Sequence, residues 1–289
     1  MLVGGIAIAI VFLLSIILTN SLVVTSYTAT PESADRIEEV EDRETAVQQD
    51  LTTIATAVRS NTTFSNYNSS LNASLRNYTR YRTRVSGSQS GVYINATLNR
   101  TASEGNFTSQ TGSSPTNFKS PGGNDNDWTL ADGADRVLLF NVTLSNIPSA
   151  GVPFSIRVTG ATGSTWTLEA SRSPPGNDIQ VDTSVTSDVC PSGTSDPELN
   201  LTAGTCEGGG DNETFTSFVD TLNEPYTIEF RNAQKVNGGK YWLASTGEFP
   251  SSYYDPSDYS TFPIVPAVDL TYTGPQTGYN RTIMLENST

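Results

Sequence analysis

The stretch Arg136-Val-Leu-Leu-Phe-Asn-Val-Thr-Leu144 shows the pattern that dominates most of this 289-residue chain. From Leu138 onward every second residue is apolar, and most of the residues between are polar. Successive side chains of a β-strand point to opposite faces of a sheet, so the alternation predicts a strand with one buried and one solvated face. Residues 153–159 and 226–231 repeat the pattern.

This period-two pattern begins after Gly87, where Gly, Pro, Asn and Asp separate short runs. We therefore predict an antiparallel β-sandwich-like head over residues 87–289, with long connections at 171–212 and 247–262. The predicted strands are residues 92–99, 136–144, 153–159, 165–170, 226–231, 240–244, 268–272 and 282–285.

Two cysteines, Cys190 and Cys206, enclose a segment of mostly Pro, Gly, Ser, Thr and acidic residues. In an extracellular setting they would form a disulfide that stabilises the fold by about 3 kcal/mol. A metal site is the weaker interpretation, because the chain has no histidine and few soft ligands. We therefore predict a disulfide.

Sequons, the Asn-X-Ser/Thr motifs that accept N-linked glycans, occur about twice as often as the composition predicts. None of them has proline at its middle position. This excess predicts a glycosylated protein whose chain after the N-terminal segment lies outside the cell. The predicted acceptors are Asn61, Asn68, Asn72, Asn77, Asn95, Asn99, Asn106, Asn141, Asn200, Asn212, Asn280 and Asn287.

The chain is strongly acidic, with 30 Asp and Glu against 16 Lys and Arg and a formal net charge of −14. This charge argues against nucleic acid and against an anionic lipid surface as partners. Dispersed acidic residues, together with arginine in place of nearly all lysine, are typical of a surface hydrated in concentrated salt. The composition therefore predicts a halophilic source.

Residues for catalysis or cofactor binding are scarce. Without histidine, this chain offers no imidazole as base, ligand or proton shuttle. We therefore predict no enzyme activity and no cofactor. Asp125 and Asp127 have alternating spacing and could bind calcium, but the segment lacks the twelve-residue loop pattern and its final glutamate. A solvated acidic turn is the alternative interpretation.

Upstream of the head, residues 31–86 are predicted to form an amphipathic helical stalk. Thr30-Pro31-Glu32 is typical of a helix start, since threonine can cap, proline suits the first position and an acid favours the positive helix end. A second helical stretch follows, although its polar, Asn-rich composition leaves a loop as the alternative. The one-sided apolar residues of that stretch are Phe64, Tyr67, Leu71, Leu75 and Tyr78.

An uncharged apolar run precedes the stalk. A secretory signal peptide has basic residues before its apolar core, whereas this run has none before it. As a helix, residues 1–24 would extend about 36 Å, enough to cross a hydrocarbon core of roughly 30 Å. We predict an apolar helix over residues 1–30 that either spans a membrane or packs against its own copies in a filament. Its predicted filament-core residues are Leu2, Val3, Ile6, Ile8, Ile10, Val11, Phe12, Leu13, Leu14, Ile16, Ile17 and Leu18.

This layout resembles the type IV pilin-like surface proteins of haloarchaea. The resemblance rests on residues 1–58, which open with Leu2-Val-Gly-Gly-Ile6, and on the acidic, sequon-dense head. Members of that family lose a short basic leader to a peptidase, which would place Met1 at the mature terminus. Many bacterial pilins have glutamate at the fifth mature position, whereas this chain has Gly5; archaeal relatives often lack that acid.

The resemblance implies a structural subunit of an extracellular filament, held in the membrane before assembly. Its implied partners are further copies of the chain and N-linked glycans. The alternatives are a monomeric, membrane-anchored surface glycoprotein with an adhesion or binding head, and a carbohydrate-binding domain on a membrane-held stalk.

Four aromatic residues could stack on sugars or anchor the core and loops. They are Tyr241, Trp242, Tyr253 and Tyr254. The predicted fold class is α+β.

Overall fold

A computed structural model describes residues 33–111, 118–122, 124–145, 147–149, 151–173, 178–191, 196–208, 211–274 and 278–285. The α-helices are α1 (Ser33–Asn61) and α2 (Tyr67–Ser90). The strands are β1 (Tyr93–Thr111), β2 (Trp128–Ala134), β3 (Val137–Ser145), β4 (Phe154–Thr159), β5 (Thr165–Arg172), β6 (Ile179–Thr183), β7 (Ser187–Cys190), β8 (Glu198–Asn200), β9 (Thr205–Gly208), β10 (Asp211–Thr214), β11 (Tyr226–Arg231), β12 (Gly238–Ser245), β13 (Tyr259–Thr273) and β14 (Gly278–Met284).

The predicted α+β class is wrong, because the protein is mostly β, with 48% of it in strands. The strands form two antiparallel sheets, one of eight in the order β10-β9-β8-β3-β12-β1-β13-β14 and one of six in the order β2-β11-β4-β5-β6-β7. Each predicted strand overlaps an observed one, but β2 and β6 to β10 were not predicted.

The missed strands explain the error in fold class. Residues 171–212, expected to be a long connection, contain β6 to β9 and the start of β10. These strands have three to five residues each. Runs this short carry too few residues for a period to stand out from the surrounding Gly, Pro and Ser, and they are stabilised by pairing with neighbouring strands and, for β8, with β3.

No long apolar helix begins the part of the chain that the structure describes. The helix α1 starts at Ser33 and carries charged residues in most of its turns. The predicted apolar helix over residues 1–30, with its filament-core residues, lies outside the described residues. Neither α1 nor α2 has an apolar stretch long enough to cross a membrane.

The chain divides into two compact units. The first unit comprises Met1–Ser103 and Val265–Thr289, and the second comprises Glu104–Ile264. Both boundaries fall within long strands, so residues of β1 and of β13 belong to each unit.

In the first unit each of the two helices makes polar contacts with a strand. The hydroxyl Oγ1 of Thr79 in α2 accepts a hydrogen bond of 3.0 Å from the Ala96 N–H in β1. Glu44 of α1 pairs with Arg281 of β14, with 2.6 Å between Oε1 and Nη1. The two helices also contact each other, so their apolar stripes are buried within this unit.

The buried stripe of each helix follows helical spacing. The stripe predicted for the second helical stretch is buried from Tyr67 to Tyr78, so helix rather than loop is confirmed there. The buried side chains are Val47, Leu51, Ala55 and Val58 in α1, and Tyr67, Leu71, Leu75 and Tyr78 in α2.

A polar contact also joins the helices. The Tyr78 hydroxyl donates to Asp50 Oδ2 at 3.1 Å, and Arg82 Nε donates to the Tyr78 hydroxyl at 3.2 Å. Arg82 also forms an ion pair with Asp50, and the two side chains are only 13% and 14% exposed. Little water competes for this pair, so it fixes α1 against α2.

The second unit encloses an aromatic core between its sheets. Trp128 of β2 is buried, and its indole Nε1–H donates to the Phe118 carbonyl at 2.7 Å. Phe230 of β11 lies at the centre of the core, within ring-contact distance of five other aromatic side chains. They are Phe118, Trp128, Phe140, Phe154 and Tyr241.

Candidate functional site: sequons on the sheet faces

The predicted disulfide is confirmed. Cys190 ends β7, an edge strand of the six-stranded sheet, and Cys206 lies in β9 of the eight-stranded sheet. Both residues are fully buried, and their Cα atoms are 5.8 Å apart. The bond therefore joins one sheet to the other within the second unit, a role that the sequence spacing did not indicate.

Of the two acidic candidates for calcium binding, Asp125 bonds within its turn and Asp127 bonds to the segment that follows β11. Asp125 Oδ2 accepts a hydrogen bond from the Ser120 hydroxyl at 2.9 Å, and Asp127 Oδ1 accepts one from the Asn232 N–H at 2.7 Å. The described part of the chain holds no group of three or more Asp, Glu, Cys or His that could bind a metal ion.

The aromatic candidates are mainly core residues. Tyr241 and Tyr254 are buried, and Trp128 lies 6.2 Å and 5.4 Å from the rings of Tyr253 and Tyr254. Trp242 is half-buried on the opposite face of β12 from Tyr241. It is thus the candidate aromatic residue that lies outside the core.

The sequons occur on helices and strands of both units. None of the ten sequon asparagines with described side chains is buried. The exposed ones are Asn61, Asn77, Asn95 and Asn280. The half-buried ones are Asn68, Asn72, Asn99, Asn106, Asn141 and Asn200. The side chain of Asn212 and the whole of Asn287 lie outside the described residues.

Three sequon asparagines share one face of the strands in the first unit. On β1, Asn95 is exposed between the buried Ile94 and Ala96. Asn99 follows four residues later and reaches Asp269 of β13. Asn280 of β14 lies two residues before the strand partner of Asp269, so it belongs to the same face.

Asp269 connects two of these sequons. The Asn99 amide Nδ2 donates to both carboxylate oxygens, at 3.0 Å and 3.2 Å. Thr282, the hydroxyl residue of the Asn280 sequon, donates from Oγ1 to Oδ1 at 2.7 Å. The hydrogen bonds from Asn99, and to a smaller extent that from Thr282, lower the pKa of the Asp269 carboxyl, because they stabilise its charged form.

The carbonyl end of the Asn99 amide is also engaged. Its Oδ1 accepts a hydrogen bond from the Ala102 N–H at 3.0 Å. Ser103 Oγ donates to the Asn99 main-chain carbonyl at 2.7 Å and accepts from the Ala267 N–H of β13 at 2.9 Å. These bonds connect Asn99 to residues three and four positions later in β1 and, through Ser103, to β13.

Sequons of the second unit also make structural contacts. Asn141 of β3 donates from Nδ2 to Glu198 Oε1 at 2.6 Å, and its strand partners are Asn200 and Trp242. In the Asn200 sequon, the Thr202 hydroxyl donates to Asn200 Oδ1 at 2.8 Å. The polar atoms of these two sequons are therefore already engaged in the fold.

The carboxylates that hold these amides, Asp269 and Glu198, were not identified from the sequence. Asp269 is a polar position in the predicted strand 268–272, which indicates only that it faces away from the core. Its contact with Asn99 spans 170 residues. Only strand pairing could reveal it.

Comparisons with known proteins do not add an identity. No protein-family model matches the chain. No curated protein matches it either. Its function is therefore inferred from its own residues.

Proposed function

We propose that this protein is a structural subunit of an extracellular, type IV pilus-like surface filament. Copies associate through the apolar segment at residues 1–24, and the β-rich region forms an acidic, glycan-bearing head. The segment inserts in the membrane before assembly. In this function the protein has no catalytic role, and its partners are other copies of itself and its glycans.

The observation that carries this proposal is the position of the sequons. In a two-sheet protein, alternate residues of each strand are buried, yet every described sequon asparagine reaches the surface at least in part. Combined with the twofold excess of sequons in the sequence, this supports a glycan coat on a protein displayed outside the cell.

The disulfide and the charge support the same location. A buried Cys190–Cys206 bond is typical of oxidising, extracellular surroundings. The net charge of −14 supports a hydrated surface in concentrated salt. Attachment to surfaces or to other cells is the role we assign to such a head.

A monomeric, membrane-anchored surface glycoprotein is the second candidate. It is favoured by the uncharged, mostly apolar composition of residues 1–24, which suits contact with lipid as well as with other copies. The two candidates share the glycosylated head and differ in what surrounds residues 1–24, which is lipid in one case and other copies of the chain in the other.

Electron microscopy of sheared cell-surface material, with Ile10→Asp and Ile10→Leu variants, distinguishes these candidates. A charge in an apolar assembly interface is strongly unfavourable, so Ile10→Asp should abolish filaments while Ile10→Leu retains them. Normal filaments from Ile10→Asp would refute assembly through this segment. Recovery of the wild-type protein only in the detergent-soluble membrane fraction would support the monomeric anchor instead.

A further inference from the structure

We propose that Asn95, in the sequon Asn95-Ala96-Thr97, is the principal glycan acceptor of the folded chain on its face of the first unit. In this proposal Asp269 hinders glycosylation of the neighbouring sequons of Asn99 and Asn280. This inference rests on the proposed function, since it concerns the glycans of a surface-displayed protein.

The Asn95 sequon differs from the other sequons whose side chains the structure describes. Asn95 and Thr97 are both exposed, and neither side chain has a hydrogen-bond partner among the described residues. They lie two residues apart in a strand, so the amide and the hydroxyl point to the same face. A glycosyltransferase that reads both groups can therefore reach them without disturbing the fold.

Asn99 is a natural control, because it lies on the same strand and its sequon also ends in threonine. Its Nδ2 atom, the one that would receive a sugar, donates to both oxygens of Asp269. Its Oδ1 atom accepts from the Ala102 N–H. Glycosylation of Asn99 at Nδ2 must therefore break a hydrogen bond to a carboxylate, and the bond at Oδ1 further holds the amide in place.

Glycosylation of the Asn280 sequon is hindered at its hydroxyl residue. Asn280 is exposed, but Thr282 donates its hydroxyl proton to Asp269. One carboxylate thus engages the amide of one sequon and the hydroxyl of another. Asn77 resembles Asn280, since its sequon hydroxyl, that of Thr79, bonds to the main chain of Ala96.

The modification is a glycosyl transfer from a sugar carried on a lipid phosphate. A bond forms between Asn95 Nδ2 and the anomeric carbon of the sugar, and the bond from that carbon to the phosphate oxygen breaks. The amide loses one proton to the transferase, and the lipid phosphate leaves. Only an Nδ2 atom without a strong acceptor is free to take this position.

The test is site occupancy, measured by mass spectrometry on the full chain exported from a host that transfers such glycans. Asn95 should be occupied at least about tenfold more than Asn99, because a charged hydrogen bond must be broken at Asn99. Asn95→Gln and Asn99→Gln assign the signals of the two sites. Equal occupancy of Asn95 and Asn99 would overturn the inference, while leaving the filament proposal intact.

Removing the carboxylate tests the role of Asp269. Asp269→Ala should raise occupancy at Asn99 and Asn280 by about tenfold without changing that at Asn95. Asp220→Ala, which removes an exposed carboxylate from the second unit, should change none of the three. Unchanged occupancy in Asp269→Ala would refute the role of Asp269. We avoid Asp269→Asn, because it would create a new sequon with Thr271.

Two outcomes separate this inference from the proposed function. If Asp269→Ala does not fold, Asp269→Ser and the wild-type ratio of Asn95 to Asn99 still decide the question. If no sequon carries a glycan, both this inference and the glycan coat are wrong, whereas filaments seen by electron microscopy would still support the subunit role.

Discussion

The sulfur of Cys190, at the end of an edge strand of the six-stranded sheet, is bonded to the sulfur of Cys206 in the eight-stranded sheet. The two residues are 16 positions apart in the sequence. The short strand β8 lies between them and pairs with both β3 and β9. The crosslink thus secures the region of the second unit whose strands are shortest.

Removing this crosslink should lower the free energy of unfolding by about 3 kcal/mol, since a loop of this length is then free in the unfolded chain. The variant is the double change Cys190→Ala and Cys206→Ala, measured by urea unfolding in concentrated salt. Reductant should destabilise the wild-type protein by a similar amount and leave the double variant unchanged. Equal stability of wild type and double variant would contradict the role of the disulfide.

Asp50→Asn should lower the free energy of unfolding by about 1 to 3 kcal/mol, because it leaves Arg82 without its charged partner in a poorly hydrated site. Glu44→Gln is the matched control, since it removes an ion pair whose arginine is 65% exposed. That change should cost about 1 kcal/mol or less. Both losses are measured by chemical denaturation at one salt concentration. Similar losses in the two variants would show that the pair between the helices stabilises the fold no more than the exposed pair does.

Phe230→Ala should lower the free energy of unfolding by about 3 to 5 kcal/mol, because it opens a cavity at the centre of the aromatic core. Tyr93→Ala is the control, since Tyr93 is 53% exposed. It should change stability by about 0.5 kcal/mol. Thermal unfolding, monitored by circular dichroism, measures both effects. A small effect of Phe230→Ala would contradict the central position of Phe230 in the core.

Alkaline pH should unfold the protein as its buried tyrosines ionise. Burial raises the pKa of Tyr78 and of Tyr241 above the ordinary value of 10.0, because the phenolate is poorly solvated there. A folded pKa above the unfolded one means that this stability is complete below about pH 10 and is lost as the pH rises toward the folded pKa.

Phenolate absorbance and circular dichroism, recorded together, check this prediction. The buried tyrosines should ionise in one cooperative step, at the pH where the dichroism signal disappears. Gradual ionisation of all tyrosines with the fold intact would contradict it. Tyr241→Phe should remove one phenolate from the late step.

Sequence patterns predicted well those elements that bury a continuous apolar face. The strand predicted at residues 226–231 matches β11, and the predicted stripe from Tyr67 to Tyr78 is the buried face of α2. Each run is long enough for its period to appear in the sequence, and burial of that face is what stabilises it. The same reasoning failed for β8, which has three residues and depends on its neighbours β3 and β9.

By itself, the sequence determined the alternating strands, the helical stripes, the pair of cysteines and the set of sequons, because each of these depends on residues that are near in the chain or on composition. Only the tertiary structure decided that the helices make polar contacts with strands, that the disulfide joins two sheets, and that Asp269 holds Asn99. These last relationships bring together residues distant in the chain, and strand order and register, which local patterns do not encode, set their distances.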